Sequence, residues 1–387
     1  MITMTWKVPL FKTFNDLDDI AAVSSVIRRG SYWATGPEIQ DFENNLAQFI
    51  GKKYALTFNS GTSALHALLE AYNIRGKEVI VPSFTFIATA NAVLLAGGIP
   101  IFAEAEDTTF GLDVEDVERK ITPNTIAVMP IHYAGCVAKD IEKIRDLCTR
   151  KGLLLIEDAA QSFGASLHKV KAGCFGDAAM FSFCQNKVIT TGEGGVVVTD
   201  SEEIAEKLKL LRSHGRVEAA QDYFSHTGDN EYIEAGYNFR MSSLSAALGL
   251  SQLRKFAVLQ EKRRGNASIL DRELSKLDQD LLRIPFRSEN FEQVYQMYTI
   301  LLKNKQIRDG LQKFLEQKGI MTKVYFMPVH LKELYIKKWG WKKGDLPKTE
   351  LLSEKALTIP LYAEMGSDNL QYIIDSITNF FRGVVEQ

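Results

Sequence analysis

Asp158 and Lys187 each sit where a charged side chain needs a chemical reason to be. Asp158, with Glu157 before it, closes a fully apolar run, Leu153-Leu154-Leu155-Ile156. A short apolar run ending in acids reads as a buried parallel strand whose carboxyl end delivers charge to a site. Lys187 follows a second strand-like run, Ala178 to Phe183, and precedes the turn Gly192-Glu193-Gly194-Gly195, which leads into Val196-Val197-Val198. Taken alone, a lysine is a surface residue and an acid is a helix cap. Together, at the ends of two core strands and among serines and glycines, they suit a cofactor held through an imine to the lysine amine.

The elements that must position this pair alternate regularly. Strand-like segments start at Tyr54, Glu78, Ile99, Thr125, Leu153, Ala178 and Gly195, and helical patterns separate most of them. The expectation is an α/β fold whose large domain has a mainly parallel seven-stranded sheet between helices. Ligands of such sheets bind beyond the strand carboxyl ends. After the Tyr54–Phe58 strand, Asn59-Ser60-Gly61-Thr62-Ser63 opens a helix. Free backbone N–H groups, the helix dipole and hydroxyls suit a phosphate there, and an ordinary N-cap reads the same way. Phe86, just past the Glu78–Val81 strand, can stack on a flat ring or pack in the core. His132 reads as a satisfied structural histidine, and Glu157 as a structural acid.

Beyond Thr199 a helix runs to Leu211, and a polar stretch from Arg216 to Glu234 is longer than a connector needs. Residues 1–253 form the large domain in this reading, and residues 254–387 a smaller C-terminal α+β domain. The second unit carries strand-like runs at Tyr295–Leu302 and Met321–Phe326, with an amphipathic helix between them. Its last helix sets Leu370, Ile373, Ile374, Ile377 and Phe381 on one face. Tyr32, Trp33 and Thr35 lie in a loop that either lines a pocket or merely connects helices. Met327-Pro328-Val329-His330 lies where a loop of the small domain could cap a cleft.

Composition narrows the class. The 387 residues carry a net charge of −2, which gives no electrostatic case for nucleic acid. No apolar run approaches the length needed to cross a membrane. The four cysteines, Cys136, Cys148, Cys174 and Cys184, lack zinc-site spacing, and with no secretory signal at the start the expectation is a reducing cytoplasm. No Gly-x-Gly-x-x-Gly follows the first strand, which disfavours a nicotinamide dehydrogenase.

Asp158-Ala159-Ala160-Gln161, Ser182-Phe183, and Lys187 followed by Gly192-Glu193-Gly194-Gly195 resemble the DegT/DnrJ/StrS family of sugar aminotransferases. These are pyridoxal-phosphate (PLP) enzymes of the aspartate-aminotransferase fold type, and the resemblance runs from Gly30 to Pro360. It implies that Lys187 carries the cofactor and moves protons, and that Asp158 pairs with the pyridine nitrogen. Phe86 would stack on the ring, and Gln161 would bond the phenolic-oxygen region. Ser60, Gly61, Thr62 and Ser182 would hold the phosphate. The segment Gly236-Tyr237-Asn238-Phe239-Arg240-Met241-Ser242 resembles the family's Gly-Tyr-Asn-Tyr-Arg-Met-Ser, so Asn238 would reach the phosphate across a homodimer interface. Tyr32, Trp33, Thr35 and His330 are the expected substrate contacts. Family dehydratases carry histidine at the imine position, whereas this chain carries Lys187, which favours amino transfer. Ser60-Gly61-Thr62-Ser63-Ala64-Leu65 and His132-Tyr133-Ala134-Gly135 look like members that aminate C4 of a nucleotide-linked keto-sugar, with L-glutamate as donor. A C3-specific transferase, a PLP lyase and a non-catalytic regulatory protein are the alternatives.

Overall fold

In the computed structural model, which describes residues 6–217 and 231–385, seven strands form one sheet. They are β1 (Tyr54–Phe58), β2 (Glu78–Pro82), β3 (Ile99–Ala103), β4 (Thr125–Val128), β5 (Leu154–Asp158), β6 (Ala178–Ser182) and β7 (Gly195–Thr199). Their order across the sheet is β1-β7-β6-β5-β4-β2-β3. β7 runs antiparallel to both neighbours, and the remaining pairs are parallel. This is the expected mainly parallel sheet.

Near-continuous apolar strands bury both faces, because successive side chains point to opposite sides. Ile80, Val128, Leu155, Phe181 and Val196 face one core, built with Phe42, Phe163 and Phe183. Their neighbours Val79, Val81, Ala127, Ile156, Met180 and Val197 face the other, built with Leu65, Leu68 and Val93. The expected helices are present, among them Leu17–Arg29, Gly61–Ala71, Ile141–Lys151 and Ser243–Arg254.

A second, three-stranded antiparallel sheet joins Leu282–Arg283, Tyr298–Leu302 and Ala356–Ile359. Helices Lys305–Gln317 and Ser367–Val385 belong to this part of the chain, whose core includes Leu311, Leu315, Ile373 and Ile377. Helix Phe256–Leu274 starts in the large core, with Phe256 and Leu259, and ends in the small one, with Ala267, Leu270 and Leu274. A boundary placed at residue 254 thus falls beside a helix that both cores share. One expectation fails: Met321–Phe326 is not a strand and makes a single bridge, Lys323 to Thr358. Tyr298–Leu302 is central and both places beside it are taken, by Leu282–Arg283 and Ala356–Ile359, which leaves this run only one bridge on the outer side of Ala356–Ile359. Of the polar stretch Arg216–Glu234, residues 218–230 lie outside the described residues.

Candidate active site

One edge of the large sheet gathers the chemistry. β1, β2, β4, β5 and β6 all end there, and antiparallel β7 begins there, with Gly195 paired to Phe58 and Ser182. Over this edge opens a cavity of about 440 Å³ lined by Ser60, Gly61, Thr62, Phe86, Asp158, Gln161, Ser182 and Lys187. Residues far apart in the chain thus meet as the strand-end rule requires. A larger open groove of about 670 Å³ contains none of them. Its charges are largely matched internally, as in Lys139–Glu106 at 3.0 Å and Lys348–Asp113 at 2.7 Å.

The turn after β1 is built as an anion cradle. Ser60 caps the helix Gly61–Ala71, its Oγ accepting from the Ser63 N–H at 3.0 Å. The N–H groups of Gly61 and Thr62 precede any intrahelical partner and remain for a ligand. Both flanking glycines are tightly packed, and Gly195 is sterically required. A Cβ on Gly61 would stand 3.1 Å from Ser182 Cβ, and one on Gly195 only 2.6 Å from the Ser60 carbonyl and 2.7 Å from Gly61 N. Glycine at 195 therefore lets β7 pass directly beneath the turn.

At the cavity floor, Asp158 is 3% exposed and takes a 2.6 Å hydrogen bond from the Thr89 hydroxyl, with a second, at 3.2 Å, from the Ala160 N–H. Burial pushes its carboxyl above the usual range, and the Thr89 bond opposes that most strongly. Burial likewise lowers the Lys187 amine, with Asp158 as the main opposing charge. No side chain among the described residues hydrogen-bonds the Lys187 amine. A buried acid that wants a cationic partner thus shares one space with an uncommitted amine.

The floor is braced from below. Glu157 and His132 are fully buried and joined at 2.8 Å, and Glu157 also accepts from the N–H groups of Gly173, Phe175 and Gly176. Both are structural residues, as their types suggested. The Ala134 N–H donates to Gln161 Oε1 at 2.8 Å, which leaves the Gln161 amino group for the cavity.

Other expected contacts lie elsewhere. Asn238 is exposed and outside the cavity lining. Tyr32 and Trp33 are about half exposed on the N-terminal loop, where Trp33 Nε1 donates to the Val26 carbonyl; Thr35 is half-buried in the same loop and does not line the cavity. His330 does not line the cleft. It is fully buried, bonded to Ser83 Oγ at 2.7 Å and Glu350 Oε1 at 3.2 Å, because its short helical turn tucks under the loop after β2. Conversely, Phe11, Thr89, Gln296, Met297, Lys323, Tyr325 and Phe326 line the cavity without having been singled out. Thr89 alone carried a usable signal, since it stands in the first turn of the helix that follows Phe86.

The model of the DegT/DnrJ/EryC1/StrS aminotransferase family matches residues 15–378. The chain belongs to this family. A GDP-perosamine synthase of Vibrio cholerae is 35% identical, over 97% of this chain and 99% of that protein. The spore coat polysaccharide biosynthesis protein SpsC of Bacillus subtilis is 32% identical over 95% of each. Among solved structures, Helicobacter pylori PseC, an aminotransferase of pseudoaminic acid biosynthesis, superposes with a TM-score of 0.90 at 30% identity, covering 97% of this chain and 99% of that one. The protein is therefore a PLP-dependent aminotransferase. The cavity fits that cofactor: a phosphate cradle at a helix start, an acid that forms no salt bridge among the described residues and an uncommitted lysine amine all face one space.

Proposed function

We propose that this sugar aminotransferase moves an amino group from L-glutamate to C4 of a nucleotide-linked 4-keto-6-deoxyhexose, as a homodimer, by a ping-pong cycle. The observation that carries the reading is the meeting of Lys187 and Asp158 beneath the Ser60–Thr62 cradle in one cavity. The similarity to a GDP-perosamine synthase and to PseC favours a sugar acceptor. The C4 assignment rests on the Ser60–Leu65 and His132–Gly135 segments.

When bound, PLP supplies the electron sink for breaking the bond to a proton on the amine-bearing carbon. The protein supplies position and charge. Ser60, Gly61, Thr62 and Ser182 grip the phosphate, and Asn238 serves the cradle of the second copy. Phe86, 56% exposed and facing the cavity, covers one face of the ring. Asp158 keeps the ring nitrogen protonated; Thr89 fixes the carboxylate for that task. Gln161 presents its amino group to the phenolic oxygen. Lys187 Nζ takes a proton from the donor carbon and returns one to the neighbouring carbon, a role suited to an amine whose proton affinity burial has lowered.

Visible spectroscopy of the purified protein tests the first half of this cycle. A yellow protein that bleaches on adding L-glutamate and regains colour with a nucleotide-linked 4-keto-sugar is the expected result. NMR of the product then locates the new nitrogen. A yellow protein indifferent to glutamate excludes this donor, and nitrogen at C3 excludes the proposed position.

A further inference from the structure

The cavity holds two cations at its lining, Lys187 and Lys323, and the cofactor accounts for only one. Lys323 comes from the other part of the chain. Its backbone is pinned to Thr358 by bonds in both directions, of 3.1 and 2.8 Å, at the end of the small sheet. That pairing points its side chain towards the space above the large-sheet edge. Among the described residues no carboxylate pairs with its ammonium, which lies 4.9 Å from the centre of the Tyr325 ring. Tyr325 packs on Phe326 at 5.0 Å, and Phe326 on Phe86 at 6.1 Å. An aromatic wall therefore leads from the place of the cofactor ring to one unpaired cation at the mouth.

Two arginines of the large domain are used elsewhere. Arg29 is clamped by Glu38 in the N-terminal loop, and Arg240 donates to Ser213 Oγ at 3.1 Å. Neither lines the cavity. Both substrates of the proposed reaction are anionic, and a desolvated anion needs a cation or several donors.

We infer that Lys323 receives an anionic oxygen of the substrate at the cavity mouth, either a carboxylate of the amino donor or a phosphate of the sugar nucleotide. This rests on the proposed function only for the identity of those substrates. The anion site itself follows from the unpaired cation and the cavity around it. As an ammonium on a flexible stem, Lys323 binds as a point charge rather than as a bidentate fork.

The test uses the PLP-loaded enzyme and its Lys323→Met and Lys323→Arg variants. Binding of 2-oxoglutarate, GDP and UDP is followed through the cofactor absorbance and by calorimetry. A Lys323→Met Kd about 10- to 100-fold weaker, with unchanged PLP content and with recovery in Lys323→Arg, is expected for the anion that Lys323 meets. A selective loss for 2-oxoglutarate assigns the donor carboxylate, and a selective loss for a nucleotide assigns the phosphate. Wild-type affinities in Lys323→Met for every anion that the wild type binds would overturn the inference, as would a wild-type enzyme that binds none of them. The function proposal fails separately, if the wild type binds anions but does not bleach with L-glutamate.

Discussion

Lys187 and Asp158 act through opposite effects of one environment. Burial disfavours the charged form of each, and each is the other's main or nearby compensating charge. Replacing Lys187 with Ala removes the proton carrier, so transamination falls by at least about 10²- to 10⁴-fold. PLP still bound by the phosphate cradle would keep an absorbance without the lysine-linked yellow band, and full turnover in this variant would end the assignment. Thr89→Val tests Asp158 more gently. It deletes the 2.6 Å donor while keeping the shape, so kcat drops roughly 10-fold with KM little changed. His330 makes its mark on stability instead. Burial lowers its pKa, with Glu350 opposing. The unfolded chain then binds the extra proton first, so stability is lost as pH falls below the ordinary histidine value of about 6.5. Chemical denaturation between pH 8 and 5 should show a smaller loss in His330→Asn than in the wild type.

At the scale of elements, the site depends on how closely β7 approaches the Ser60 turn. Gly195→Ala places a methyl 2.6 Å from a carbonyl that cannot move without the helix it caps. A stability loss of about 1–3 kcal/mol and weaker PLP retention are expected from such overpacking. Gly265 is the contrast: it lies in helix Phe256–Leu274, and a Cβ there meets open space. Gly265→Ala should stabilise by about 0.5–1 kcal/mol. Urea midpoints and PLP titration of the two variants compare both effects, and an unaltered Gly195→Ala enzyme would remove the close-approach argument.

For the whole molecule, the cavity needs both parts of the chain. Tyr133 donates its hydroxyl to the Tyr325 carbonyl at 2.5 Å, and Gln296 Nε2 donates to the Asn186 carbonyl, one residue from Lys187, at 2.6 Å. Gln296, Met297, Lys323, Tyr325 and Phe326 close a space whose floor is the large sheet. The proposed homodimer extends this further. Asn238 is exposed and away from its own chain's cavity, so Asn238→Ala should leave ultracentrifugal mass unchanged and weaken PLP binding about 10-fold. A monomeric wild type, or unchanged PLP affinity, would refute the shared site.

The sequence by itself determined the seven strands, their alternation with helices and the edge where the chemistry gathers. Short, mainly apolar runs of four or five residues punctuated by helical periodicity leave a sheet of this kind little choice, and Ser60, Phe86, Asp158, Ser182 and Lys187 all lie just at or beyond strand ends. Tertiary structure alone decided the rest. Met321–Phe326 has strand-like composition, but the partner edge was occupied by Ala356–Ile359, a competition over distance that no local pattern records. His330 looked like a polar loop residue and became core, because Ser83 and Glu350, 247 and 20 residues away, satisfy its ring. Nothing in the sequence singled out Lys323. Only folding showed that it shares a cavity with Lys187 and meets no acid among the described residues, since pairing of charges depends on neighbours in space and not in sequence.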